Sequence, residues 1–359
     1  MSRRKLWQVS SLCILGLSLI VACVYAIYHW MHLGDNSAIP VLVSRVAFAR
    51  SANIRSFVGP YCSETNFAPN NFQNMSPFDI VFVCNDHLHA FVAEIVPNIT
   101  VDYILITMGS DRNQPYVNAV EGNPHMKGWF MENLVQRESY LQSIPHGGIP
   151  LGFDSHTAEK GFSLAFSDGI SIVSFFSDWQ SWLRLYQSSI SQELEFHAIV
   201  KQQQHSPNCN QLPLVYSDWQ FNAKYSKGRR LHALEALKDN QNIHWAPYRT
   251  SRPTGWQQRC EYIFELSPPG NGADCHRTWE ALALGKIVIV PKSELDSLYA
   301  ELNLPVVVVD ADYQMITKEN LAKWQKEMHP LRLQMNSGWP IELSTPIVLQ
   351  KIRELVGNG

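Results

Sequence analysis

The sequence predicts an α/β protein of two Rossmann-like domains facing each other across a cleft, preceded by one N-terminal transmembrane helix. Three observations carry this expectation. Continuous apolar runs such as FDIVFVC (Phe78 to Cys84), KIVIV (Lys286 to Val290) and PVVVVD (Pro305 to Asp310) recur between helix-like stretches. Runs of that kind are strands buried on both faces, as in parallel sheets built from βαβ units. The chain has 359 residues, 45% hydrophobic and 17% charged, which suits two domains with sizeable cores. Finally, Ser2-Arg3-Arg4-Lys5 precedes an uncharged run from Leu6 to Met31. As a helix this run would be roughly 39 Å long, enough to cross a bilayer with its basic flank on the cytoplasmic side.

The elements follow in order. Residues 1–33 read as cytoplasmic tail and anchor, 34–205 as a first α/β domain and 206–359 as a second. Trp7 and Trp30 sit near the ends of the apolar run, where a bilayer has its interfaces. Val24-Tyr25-Ala26 also fits a signal-peptide cleavage site, and Ile20-Val21-Ala22-Cys23 a bacterial lipoprotein box. Each of these readings places the body outside the cytosol, in the Golgi lumen of a eukaryote or on the periplasmic side of a bacterial inner membrane. In the first domain FDIVFVC is a strand, DHLHAFVAEIV a helix and YILITM (Tyr103 to Met108) a strand, while IPHGGIPLGF is a Gly/Pro loop at a strand end. The polar stretch Gln187 to Gln211 contains the boundary, near His205. The second domain restarts with strand PLVYSDW, a basic-edged helix from Lys227 to Lys238 and strand YIFELS. Ser293-Glu294-Leu295-Asp296 is a capping box, Thr317 caps a helix through Met328, and a last helix runs from about Pro346 to Val356.

Composition excludes some functions. The net charge is −3, so no basic surface argues for nucleic acid. Of seven cysteines, Cys13 and Cys23 lie in the apolar run. The other five cannot all pair with one another, and Cys84, inside a strand-like run, is expected to be a buried free thiol. No His/Cys spacing fits a metal site, so no metal is expected. Two sequons, Asn74-Met75-Ser76 and Asn98-Ile99-Thr100, are compatible with an extracytosolic body.

The chemistry concentrates in SPPGNGADCHRTWEALALGK, Ser267 to Lys286. Pro268-Pro269 ends the strand, and Gly270, Asn271 and Gly272 make a turn that a ligand can approach closely. Asp274 reads as the helix N-cap and Gly285 as its stop. A strand, Gly loop and helix in this order set backbone N–H groups and a helix dipole at the carboxyl edge of a sheet, where anions bind. His276, Arg277 and Glu280 lie within the first turn and a half. Arg277 can fork onto phosphate oxygens with His276 beside it, and Glu280 can accept a ribose diol. Trp279, Leu282 and Ala283 form the core-facing stripe. The bland alternative is a capped helix with solvated polar residues. GxxxxGK[ST] is absent, and so is GxGxxG with a following acid. A nucleotide used outside the cytosol without such a loop points to a donor, either a nucleotide sugar or phosphoadenylyl sulfate.

The segment FELSPPGNGADCHRTWEALALGKIVIV, followed by SELDSLYAELNLPVVVV, resembles the C-terminal signature of exostosin-like glycosyltransferases (family 47 and relatives). YILITMGSD, MKGWFMENL and IPHGGIPLGF are looser echoes of the N-terminal domain in such proteins. The resemblance implies a GT-B fold, a UDP-sugar held by the C-terminal domain, a glycan or glycoconjugate acceptor, and inverting transfer that needs no cofactor or metal. It departs from the family at Lys286-Ile287-Val288 and at MENL. Arg229 and Arg230, opening the helix after PLVYSDW, add charge for the departing diphosphate, or are simply a solvated helix start. Candidates for the base, from the first domain, are Asp111, then Glu132, Asp86 and His146. The competing readings are a non-catalytic nucleotide-binding paralogue and a sulfotransferase.

Overall fold

A computed structural model describes residues 42, 44–55, 72–109, 123–133, 146–152, 189–219, 228–246, 252–336 and 344–357. The apolar run 6–31 and Asp111 lie outside them. Among the described residues no helix is long and apolar enough to cross a membrane. The sheets below belong to one compact unit.

The first sheet has strands β1 (Ile54–Arg55), β2 (Asp79–Cys84), β3 (Tyr103–Met108), β4 (Met126–Met131) and β5 (His146–Gly148), all parallel and in chain order. Helices α1 (Arg45–Ser51) and α2 (Leu88–Glu94) belong to this half, and α3 (Ser189–Gln204) leads to the second. That sheet has β6 (Leu212–Ser217), β7 (Ile243–Trp245), β8 (Tyr262–Leu266), β9 (Ile287–Pro291) and β10 (Val306–Val309), again parallel, in the order β10-β9-β8-β6-β7. From β6 the chain steps to one side for β7 and then crosses to the other for β8. The crevice at the carboxyl ends of β6 and β8 is therefore a switch point, the place where an open α/β sheet binds ligands. Helix α4 (Arg229–Leu237) lies between β6 and β7 in the chain, α5 (Arg252–Gln258) precedes β8, and α6 (His276–Ala283) follows it.

The remaining helices are α7 (Asp296–Glu301), α8 (Lys318–Asn336) and α9 (Thr345–Gly357). The expected capping box forms only in half: Ser293 N donates to Asp296 Oδ1, but Ser293 Oγ accepts from Leu295 N, and Leu295 rather than Ser293 is the N-cap of α7. Thr317 Oγ1 accepts from Asn320 N at the start of α8. That helix runs past the expected end at Met328 with Pro330 inside it. Arg332, two residues on, donates from Nε to the carbonyl of Gly285 and ties the extension to the end of α6. Gly285 has φ +70°. Its N–H bonds to Leu282 and that of Lys286 to Ala281, a Schellman stop at the predicted place.

The two sheets share a core. Side chains alternate along the strands of the first sheet. Ile80, Phe82, Ile104, Ile106 and Phe130 share a single core with Trp279 and Leu282 of α6, Leu298 of α7, Val290 of β9 and Val348 and Ile352 of α9. The opposite face, with Val81, Val83, Leu105 and Trp129, packs against Leu88 and Phe91 of α2. The outer core of the second sheet gathers Val215, Phe264, Ile287, Ala233, Leu237 and Trp324. The expectation of a free Cys84 is corrected. It is disulfide-bonded rather than free, to a cysteine outside the described residues, and Cys209 pairs with Cys260. Of the described cysteines, Cys275 alone is free.

Candidate functional site

At the switch point β6 ends in Ser217-Asp218, and β8 runs into Ser267-Pro268-Pro269 and the Gly loop. Helix α4 begins after Gly228, whose φ of +77° turns the chain so that Arg229 and Arg230 open the first turn. Two cations at the positive end of a helix dipole are placed against their own electrostatics. Each has a distinct role. Arg229 Nη2 donates to the carbonyls of Gly270, Asn271 (2.8 Å) and Gly272 (3.2 Å). The loop thus turns three carbonyls toward Arg229, and Arg229 serves as its clasp.

Arg230 stands behind the same loop. Its Nη2 approaches Cys275 Sγ at 3.6 Å, and its Nε is buried without a hydrogen-bond partner. No carboxylate among the described residues pairs with it. Burial pulls its guanidinium below the ordinary arginine value, and the neighbouring charges of Arg277 and Arg229 add to this. A Cβ on Gly270 would lie 3.2 Å from Arg230 Nη2 and press on the guanidinium.

Arg277 lies in the first turn of α6. Its Nε donates to Asp218 Oδ1 at 2.8 Å, which fixes the fork, while its terminal nitrogens form no hydrogen bond within the described residues. Asp218 is itself shared with Arg259, whose Nη2 donates to Oδ2 at 2.9 Å. Burial alone would raise the Asp218 carboxyl; Arg259 and Arg277 outweigh it and hold the group at about 2. Arg259 also lies 3.2 Å from Glu265 in β8 and 4.0 Å from Glu280. Glu265 is fully buried, and desolvation pushes it up to about 7 despite Arg259.

Glu280, expected to meet a ribose, is instead turned inward. Its Oε1 accepts from Arg252 at 2.6 Å and its Oε2 from Trp256 Nε1 at 3.0 Å, so α5 covers the carboxylate. His276 Nδ1 lies 2.7 Å from the carbonyl of Gly152, in the segment after β5. Asp274 is not the N-cap; Cys275 occupies that position. Asp274 lies one residue earlier and is buried, accepting from Leu151 N, Cys275 N and Trp279 Nε1 at 2.7 to 2.8 Å. Desolvation raises its carboxyl to about 6, the three donors working against that shift.

The first sheet meets the Gly loop through β4. Glu132, proposed as a base, is buried, accepting from Gly109 N at 2.7 Å and from Asn133 Nδ2 at 3.1 Å. It braces the ends of β3 and β4 and faces no solvent. His146 begins β5, and Asp86 is exposed just past β2. The sequence reading missed Asn133, whose Oδ1 accepts from Asp274 N at 2.8 Å. A Cβ on Gly272 would come within 2.8 Å of both Asn133 amide atoms. Gly272→Ala is therefore expected to cost about 1–3 kcal/mol through overpacking. Its effect with Asn133→Gly should be less than the sum of the two single costs, as a denaturant-unfolding double-mutant cycle would measure. Asp218 was also missed, although an acid directly after a switch-point strand is a usable signal. Among the described residues no three His, Cys, Asp or Glu side chains gather as a metal site.

No protein-family model matches the chain, and no curated protein matches it. No family is shown. The exostosin-like resemblance accordingly has no counterpart among the family models. Solved structures do match in part. An α,α-trehalose-phosphate synthase (UDP-forming) from Burkholderia vietnamiensis aligns over 78% of this chain and 75% of its own, at 10% identity and a TM-score of 0.39. The synthase from Burkholderia multivorans covers 79% and 72% at 11% identity and 0.38. An E. coli trehalose-6-phosphate structure bound with UDP-2-fluoro glucose covers 80% and 74% at 10% identity and 0.35. At these scores the likeness is too loose to carry function from those proteins to this chain.

Proposed function

We propose that this chain is a glycosyltransferase, anchored by its N-terminal apolar run, that binds the diphosphate of a UDP-sugar at the switch point of the second sheet and passes the sugar to a glycan or glycoconjugate. One observation carries the reading. Arg230 is a mostly desolvated guanidinium with no carboxylate partner among the described residues, beside a Gly loop and a helix start. A buried cation without a counter-ion is costly unless a ligand supplies the charge. Arg277, oriented by Asp218 with its terminal nitrogens open, offers a second fork to the same diphosphate. Both would stabilise the leaving group as the bond to the sugar breaks. The exostosin-like segment around Ser267 to Val290 supports a sugar donor and inverting transfer. The disulfides at Cys84 and at Cys209–Cys260 support a body that folds outside the cytosol, in the Golgi lumen or periplasm.

The enclosure of Glu132 favours a second reading, a nucleotide-binding protein without a base. Calorimetric titration of the full chain with UDP, GDP and adenosine 3′,5′-bisphosphate tests the ligand. UDP is expected to bind in preference. Preference for the bisphosphate would replace sugar transfer with sulfate transfer, and binding of none would overturn the site. Hydrolysis of a panel of UDP-sugars then separates the two readings: slow turnover of at least one marks an enzyme, and none marks the binding protein.

A further inference from the structure

Both sequons are built the same way. Met75, the middle residue of Asn74-Met75-Ser76, packs with Phe72 on the outer core of the first sheet, and Ile99, the middle residue of Asn98-Ile99-Thr100, is buried in that core. In each case the inward middle residue leaves its two neighbours outside: Asn74, Ser76, Asn98 and Thr100 are all exposed. Asn98 lies in a single 3-10 turn after α2, and its Nδ2 donates to the carbonyl of Glu94 at 3.1 Å. An amide nitrogen that takes one sugar keeps one N–H. The two disulfides independently point to the compartment in which such sequons are read.

We infer that Asn74 and Asn98 are both N-glycosylated, and that the two sugars stand on the face of the first sheet opposite the one shared with α6. The chain is the acceptor in this step and catalyses nothing. The asparagine amide nitrogen bonds to the anomeric carbon of a lipid-linked oligosaccharide, the carbon–oxygen bond to the lipid diphosphate breaks, and the amide proton passes to a base of the cell's oligosaccharide-transferring enzyme. The side on which the sugars stand follows from strand alternation. Val81, Val83 and Leu105 face the core that holds Met75 and Ile99, whereas Ile80, Phe82 and Ile106 face Trp279 and Leu282. Glycans on the first side leave the Gly loop and its arginines uncovered.

The inference rests on the extracytosolic placement proposed above but not on the nucleotide. The test is expression of the full chain in eukaryotic secretory cells, followed by intact-mass measurement before and after an endoglycosidase that cleaves at the asparagine linkage. Wild type should lose two oligosaccharides and gain Asp at both positions. Asn74→Gln and Asn98→Gln should each lose one, and the double variant none. The double variant should bind UDP as wild type does. A wild-type chain that binds UDP but is unchanged by the enzyme overturns the inference and leaves the nucleotide reading standing. A single occupied site overturns it for the other asparagine.

Discussion

Arg230→Met is expected to weaken UDP binding by roughly 10- to 150-fold, the equivalent of losing a charge-assisted hydrogen bond of about 1.5–3 kcal/mol. It should leave Tm unchanged or higher. The two readouts together make the test sharp. A buried arginine that serves the fold has a counter-ion, and its removal strands that partner and destabilises the protein. Among the described residues Arg230 has only the Cys275 thiol, the repulsion of two other guanidiniums, and an Nε without a partner. Replacing it with an apolar chain of similar length relieves desolvation in the unliganded protein and removes the counter-charge a diphosphate needs. Calorimetry with UDP and a thermal melt suffice. A variant that binds UDP normally moves the nucleotide elsewhere, and one that binds weakly because it melts early makes Arg230 structural.

Arg259→Met should behave in the opposite way and cost about 3–5 kcal/mol of stability. Arg259 is 5% exposed and stands between Asp218, Glu265 and Glu280. Burial works against its charge, but these carboxylates outweigh it and raise the guanidinium above its ordinary value. Without it, Glu265 and Asp218 keep their desolvation and lose their main counter-charge. Adding Glu265→Gln should recover part of the loss, because it removes the buried acid that the first change strands. Denaturant unfolding of the single and double variants measures this. Two equal midpoints would mean that Glu265 is already neutral once Arg259 is gone.

Much of this architecture was legible because parallel strands buried on both faces leave unmistakable apolar runs, and because Gly285 and Thr317 signal helix ends through local chemistry. The Gly loop was legible for the same reason, since Pro268-Pro269 and two glycines stop a strand by themselves. The roles of the charged side chains were not. Helical spacing puts Glu280 near Arg277, but only the position of α5 decides that Arg252 and Trp256 occupy its carboxylate. Arg259 carried no signal, because its importance comes from acids on three elements, Glu265 on β8, Glu280 on α6 and Asp218 at the end of β6, that only the fold brings together. Glu265 could have been noticed, as an acid inside YIFELS has to find a buried partner. Cys84 was misread because a strand position argues for burial and says nothing about a thiol's partner.

The return of α9 to the first half constrains the order in which this chain can be finished. Thr345 Oγ1 donates to the carbonyl of Leu42, Leu42 bridges Ser344 in antiparallel fashion, and Val348, Leu349, Ile352 and Val356 complete the core beneath β2 and β3. Domains commonly fold as they emerge from the ribosome, the amino-terminal one first. Here the earlier sheet waits for α9, whereas the later sheet has all its own strands before that helix is made. The half made second is the half equipped to fold first.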